Sequence, residues 1–239
     1  MSAVATAKSP PSSKNAPLGV PIHLDEGIVI PTGIVDHESY RRWSRSDSFP
    51  RRGRFAFFNE SLWVDRSMEQ AYTHNLVKFQ IGRVLATLVD ETGSGHFFAD
   101  GMQLSNLDCG LTTVPDGLFV SFDALDSKRI VEVSGAENGC VEFEGTPDMV
   151  LEVVSRFSEQ KDTAFISLYY DAGIPEYWFV DVRKNPVRFD IYVHGARKYV
   201  AARRQAGGWL KSNVFGRSFR LTPKTDRRGK PIYLLEVRE

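Results

Sequence analysis

Residues 149–154, Met-Val-Leu-Glu-Val-Val, constrain the fold of this chain more than any other stretch. The run is too short for a good helix, and its β-branched apolar side chains suit a central strand buried on both faces. Glu152 interrupts it. An unpaired buried carboxylate costs several kcal/mol, so such an acid pairs, takes a proton or holds a metal. A second apolar run, Leu118–Phe122, opens just after Val114-Pro115-Asp116-Gly117, and Lys161-Asp162 follows the first. Two acids and a lysine around one sheet are an arrangement suited to metal-dependent phosphodiester chemistry.

Along a strand alternate side chains share a face and each residue advances about 3.3 Å, so Asp148 and Glu152 lie about 13 Å apart. That is too far to share one metal ion, and Pro147-Asp148 reads as a turn in which Asp bonds its own backbone. Asp116 has the same turn chemistry available. It differs because it opens a strand that can lie beside that of Glu152.

The remaining pattern is mixed. Arg54–Phe58 and Ser61–Val64, joined across Asn59-Glu60, predict a β-hairpin. Tyr72, Leu76, Phe79, Val84, Leu85 and Leu88 recur at helical spacing over 68–90, ended by Gly93 and Gly95. Short strands are expected at Met102–Leu104, Leu118–Phe122, Ile130–Val133 and Cys140–Phe143. A helix capped by Ser158 runs to about Ala172 and stops at Gly173 and Pro175. Tyr177–Val182 reads as a second buried strand and 187–193 as a half-exposed one. The tail from Tyr199 to Val237 reads as further β-hairpin. The layout is α+β.

The 239 residues allow one substantial domain, taken as 22–239 with its core at about 54–195. Residues 1–21, rich in Ala, Ser, Pro and Lys, read as a disordered tail without the apolar stretch of a secretory signal. No run is long enough to span a membrane. Cys109 and Cys140 have no metal-ligand or redox spacing and read as free thiols, which together point to a cytoplasmic chain. Lys+Arg and Asp+Glu are both 30, so any nucleic-acid surface must be local. One local candidate is the arginine cluster at 41–54, with Trp43 and Phe49 among it; the plain alternative is a solvated charge run.

Three blocks carry a resemblance: Val114-Pro115-Asp116; Pro147-Asp148 leading into Glu152-Val153-Val154-Ser155; and Ala172-Gly173-Ile174-Pro175-Glu176-Tyr177-Trp178 followed by Val180-Asp181. The chain resembles, from about Arg54 to Arg183, the Uma-two group of restriction endonucleases within the Pro-Asp…(Asp/Glu)-x-Lys superfamily. The resemblance implies a restriction-endonuclease-like core, a mixed sheet flanked by helices, here with extra N- and C-terminal β-hairpins. It also implies a divalent-metal site for Mg2+ or Mn2+ at Asp116 and Glu152, and DNA as substrate. A histidine facing the site from the long helix, here His74, is a further implied participant, against the plain reading of a packing residue.

This sequence departs from the pattern at the lysine. The slot two residues after the second acid holds Val154, and the slot on the following helix holds Phe165. The nearest lysine is Lys161, read as the catalytic cation, with a solvated Lys161 paired to Glu159 or Asp162 as the alternative. A fold without its lysine also fits a catalytically decayed module that binds nucleic acid or a partner. Cutting both strands of DNA calls for two sites, which a homodimer would supply by symmetry.

Overall fold

The computed structural model describes residues 21–24, 28–65, 70–135, 139–154, 159–183 and 185–239, with backbone alone at 159–163. It opens on a short antiparallel pair, β1 (Ile22–His23) and β2 (Val29–Ile30), then α1 (His37–Ser44). The expected hairpin follows as β3 (Arg54–Phe58) and β4 (Ser61–Asp65). Asn59 and Glu60 both have positive φ, 48° and 55°, the turn whose twist matches paired strands.

The long helix begins with a π turn (Ala71–Asn75) that runs into α2 (Leu76–Thr92). Gly93, at φ 57°, ends it in the left-handed conformation that glycine adopts without strain. Three short strands come next, β5 (Gly95–Phe98), β6 (Gln103–Asn106) and β7 (Leu111–Thr113), then β8 (Gly117–Ser121) and one turn of helix, α3 (Phe122–Asp126). β9 (Ile130–Ser134) and β10 (Cys140–Gly145) pair antiparallel, and β11 (Met149–Val153) carries the opening motif. α4 (Glu159–Asp171), β12 (Glu176–Asp181), β13 (Arg188–His194) and β14 (Tyr199–Ala201) complete the central part. β15 (Leu210–Lys211), β16 (Ser218–Thr225) and β17 (Pro231–Arg238) form a C-terminal antiparallel sheet. The helix cap expected at Ser158 falls outside the described residues.

The central sheet has the order β14-β13-β12-β11-β8-β5 and is mixed: β11 runs parallel to β12 and antiparallel to β8. Both faces are covered, which is why β11 and β12 read as near-continuous apolar runs. Val150, Val154, Tyr177 and Phe179 pack with Phe165, Leu168 and Tyr169 of α4 and with a second sheet, order β4-β3-β7-β6-β10-β9. Met149, Leu151, Val153, Trp178 and Val180 face the other way, onto α2 and the C-terminal sheet. Tyr177 and Trp178 are fully buried core aromatics.

The inner stripe of α2 differs from the expectation. It is the four-residue row Val77, Ile81, Leu85 and Val89, whereas Phe79 and Tyr72 are exposed. Two apolar stripes interleave on this helix, and the less aromatic one packs. The arginine cluster is also not simply a solvated run. Arg41 is buried, donating from Nε to Glu142 at 2.8 Å and pairing with Glu144, and so fastens α1 to β10.

Candidate active site

Register brings the two acids together. Gly117 lies opposite Leu151 in the β8–β11 ladder, so the residues one step beyond, Asp116 and Glu152, face each other at the end of β11. Opposed residues of an antiparallel pair have Cα atoms about 4.5–5.5 Å apart and side chains on one face. Both acids are buried, 3% and 5% exposed. Gly117 is held to glycine by packing, because a Cβ there would stand 2.9 Å from the Phe97 ring and 3.2 Å from Leu151.

Asp116 is fixed from two directions. Its Oδ2 accepts the Val153 backbone N–H at 2.8 Å, which ties β8 to β11 past the last ladder bond. Its Oδ1 faces Arg54 of β3 at 3.3 Å and Lys78 of α2 at 3.5 Å, without a hydrogen bond of good geometry. His74, in the π turn, places Nε2 3.5 Å from Oδ2, a long contact rather than an aligned bond. Burial alone would raise the carboxyl, but His74, Arg54 and Lys78 outweigh it and hold Asp116 down at about 2. Asp116 is therefore a charged acid, buried among Arg54, Lys78 and His74.

Glu152 takes a different partner. Tyr169, on the inner face of α4, donates its hydroxyl to Oε1 at 2.6 Å. Burial first, then the Glu152 charge, pushes the Tyr169 hydroxyl well above its ordinary value, so it stays a neutral donor. Phe165 lies one turn earlier on the same helix, fully buried, stacked on Tyr169 at 5.3 Å and tilted against Phe58 at 5.2 Å. Val154 is buried too. Both lysine slots of the resembled pattern are thus core positions here.

Of the four sequence-predicted site residues, the structure places His74 beside Asp116, and the strand register sets Glu152 opposite Asp116. Lys161 lies in the first turn of α4, and its side chain falls outside the described residues. The residue missed is Lys78. It is 6% exposed, its ammonium donates to Asp100 at 2.7 Å, and it sits four residues after His74 on the same helix face. A lysine one turn on from a candidate site histidine was the available signal, hidden by the choice of the wrong helix stripe. Arg54 was visible only as one arginine among several.

Other acids near the motif serve structure. Asp148 accepts the Ser121 N–H at 2.7 Å and pairs with Arg129, so it ties β8 and the β9 entry to β11 rather than bonding its own backbone as the turn reading expected. Glu176 is buried and accepts from Trp178, Ser212 and the Asn213 and Val214 N–H groups, which moors the C-terminal segment to β12. No cluster of three or more His, Cys, Asp or Glu with metal-holding geometry occurs among the described residues. No described helix is long and apolar enough to cross a membrane.

Three comparisons bear on this arrangement. A family model described as "Uma2: Putative restriction endonuclease" matches residues 37–224. A solved structure, "a putative nuclease belonging to DUF820 from Anabaena variabilis ATCC 29413", superposes with a TM-score of 0.55 at 15% identity, covering 76% of this chain and 91% of that one. At that identity the likeness speaks for the restriction-endonuclease-like fold alone. No curated protein matches the chain.

Proposed function

Because the chain belongs to the Uma2 restriction endonuclease family, we propose that it is a divalent-metal-dependent endonuclease that hydrolyses DNA phosphodiester bonds. The observation that carries this reading is the pairing of Asp116 with Glu152 in opposed register at the end of β11. A hard cation such as Mg2+ or Mn2+ is held by oxygen ligands and keeps several waters, so two carboxylates and backbone oxygen are a fitting donor set. Asp116 Oδ1 lacks a well-formed hydrogen bond although buried, which also fits an acid shaped for a cation. Asp116 and Glu152 would hold the ion; bound there, it would polarise the scissile phosphate and acidify a water.

The chain's own groups do the remaining work. The Val153 N–H and the Tyr169 hydroxyl each fix one oxygen of an acid, so the pair is oriented before substrate arrives. Lys78 takes the part that the motif assigns to its lysine, steadying negative charge on the phosphate, since Val154 and Phe165 are core residues and Lys78 already stands at Asp116. Arg54 and His74 keep Asp116 ionised at any pH where the enzyme would act. Lys161 remains a second candidate for the cation, and a cleavage comparison of K78M with K161M separates them.

Plasmid and linear DNA incubated with Mg2+ or Mn2+ give the test. Cleavage that disappears in both Asp116→Ala and Glu152→Ala supports the proposal; folded protein that cuts no DNA with either metal counts against it. The alternative of a decayed module draws on Phe165 and Val154 in the lysine slots, and it requires that no saturable metal binding depends on the two acids. Cutting both strands of a duplex would call for two copies of the site.

A further inference from the structure

Charge is unevenly placed along the chain. From Gly195 to Glu239 there are twelve Lys and Arg against three Asp and Glu, although the whole chain sums to zero. The densest part is the tip of the β16–β17 hairpin, Lys224-Thr225-Asp226-Arg227-Arg228-Gly229-Lys230. Its only acid is committed to the turn itself, since Asp226 Oδ1 accepts the Arg228 and Lys230 N–H groups, both at 2.8 Å. Lys224, Arg227, Arg228 and Lys230 are exposed; Lys224 acts at a distance on Glu236, and among the described residues no carboxylate forms an ion pair with Arg227, Arg228 or Lys230. Like charges crowded on one ordered turn repel one another, an arrangement that suits a surface meeting a polyanion.

The tip is held rigidly and in a particular place. β16 and β17 pair without interruption from Ser218↔Arg238 to Thr225↔Pro231, with Phe219, Leu221, Tyr233 and Leu235 in the core. β17 packs against α2 and against the π turn that carries His74. Lys230 Nζ lies 5.7 Å from the ring of Tyr72, two residues before His74 in that turn. The cations of the site itself, Arg54 and Lys78, are turned onto Asp116. Phosphates flanking a scissile bond must find positive charge elsewhere, and the first 194 residues carry an excess of acid.

We propose that this hairpin tip is a sequence-independent contact surface for the phosphate backbone of duplex DNA, with Arg227, Arg228 and Lys230 as its principal contacts. The choice of DNA as the polyanion rests on the nuclease reading. Arg227, Arg228 and Lys230 lie beyond residue 224, outside the span that the family model matches.

The test is fluorescence anisotropy of a labelled random-sequence duplex with the full chain in EDTA, across a salt series. The R227A/R228A/K230A variant keeps Asp226 and Gly229, and a thermal melt superposing on that of wild type shows that it is folded. Each phosphate contact contributes about 0.9 to the slope of log K against log salt, so losing three flattens it by about 2.7. R51A/R52A, in the other arginine cluster, should keep the wild-type slope. An unchanged slope in the triple variant, loss of slope in R51A/R52A instead, or binding to anionic vesicles with none to duplex would each overturn the proposal. Hairpin-dependent binding without any cleavage keeps this surface and overturns the nuclease reading. Cleavage with a slope indifferent to the tip does the reverse.

Discussion

Replacing Lys78 by methionine removes one charge from the centre of the site while nearly keeping the side-chain volume. The ammonium stands 3.5 Å from Asp116 Oδ1. At an effective dielectric of about 20 the attraction at that distance is roughly 5 kcal/mol before desolvation is subtracted. Breaking a buried pair from one side costs about 3–5 kcal/mol when the remaining charge has no other partner. Asp116 retains Arg54 at 3.3 Å, His74 at 3.5 Å and the Val153 N–H at 2.8 Å. Methionine also spares the desolvation of a lysine that is 6% exposed. The net expectation is therefore lower, about 2 kcal/mol. Urea unfolding at neutral pH of wild type, K78M, D116N and the double variant measures it as a coupling energy. Activity should fall further than stability does, by about 10²–10³ in kcat, as for removal of one preorganised donor to a transition-state charge. K78R should recover part of it. A coupling energy near zero, with kcat unchanged, would refute the assignment of Lys78 to Asp116.

Three other outcomes follow from the same contacts. Phe165→Lys, which restores the family's helical lysine, should cost at least about 4 kcal/mol and leave little folded protein at ambient temperature, since it deletes a core aromatic and buries an ammonium; thermal melts decide this. Glu176→Gln should cost about 2 kcal/mol by weakening charge-assisted bonds, while leaving metal affinity unchanged, because the hydrogen bonds of Glu176 go to Trp178 and the 212–214 segment. Asp116 is held at about 2 against an ordinary value of 3.8, a depressed acid. It therefore contributes about 2 kcal/mol in full above pH ~4, lost as pH falls through about 2. The difference in stability between wild type and D116N should shrink over that window, and a difference that grows on acidification would contradict the sign.

Much of the fold is legible in the sequence because its central strands are buried on both faces. Met149–Val153 and Glu176–Asp181 announce themselves as apolar runs, and Asn59-Glu60, Gly93 and Gly173 punctuate the chain at real turns. β5, β7 and α3 escaped notice because three to five residues hold too little pattern. Glu152 stood out for a physical reason, since a carboxylate inside an apolar run has few ways to be tolerated, whereas Asp116 stood out only by opening a neighbouring strand. The cations around them did not. Lys78 and Arg54 look like solvent-facing residues until the tertiary fold turns them inward, and the stripe on α2 had two candidate faces. Only packing against β11 selects the row that carries His74 and Lys78 to Asp116.

On the proposed reading Asp116 and Glu152 form one metal-binding centre. Isothermal titration of Mn2+ and Mg2+ into the folded wild-type chain, D116A and E152A tests it most directly. The expected result is one saturable site per chain in wild type, lost in both variants. No saturable binding in wild type, or binding that survives in either variant, would contradict it.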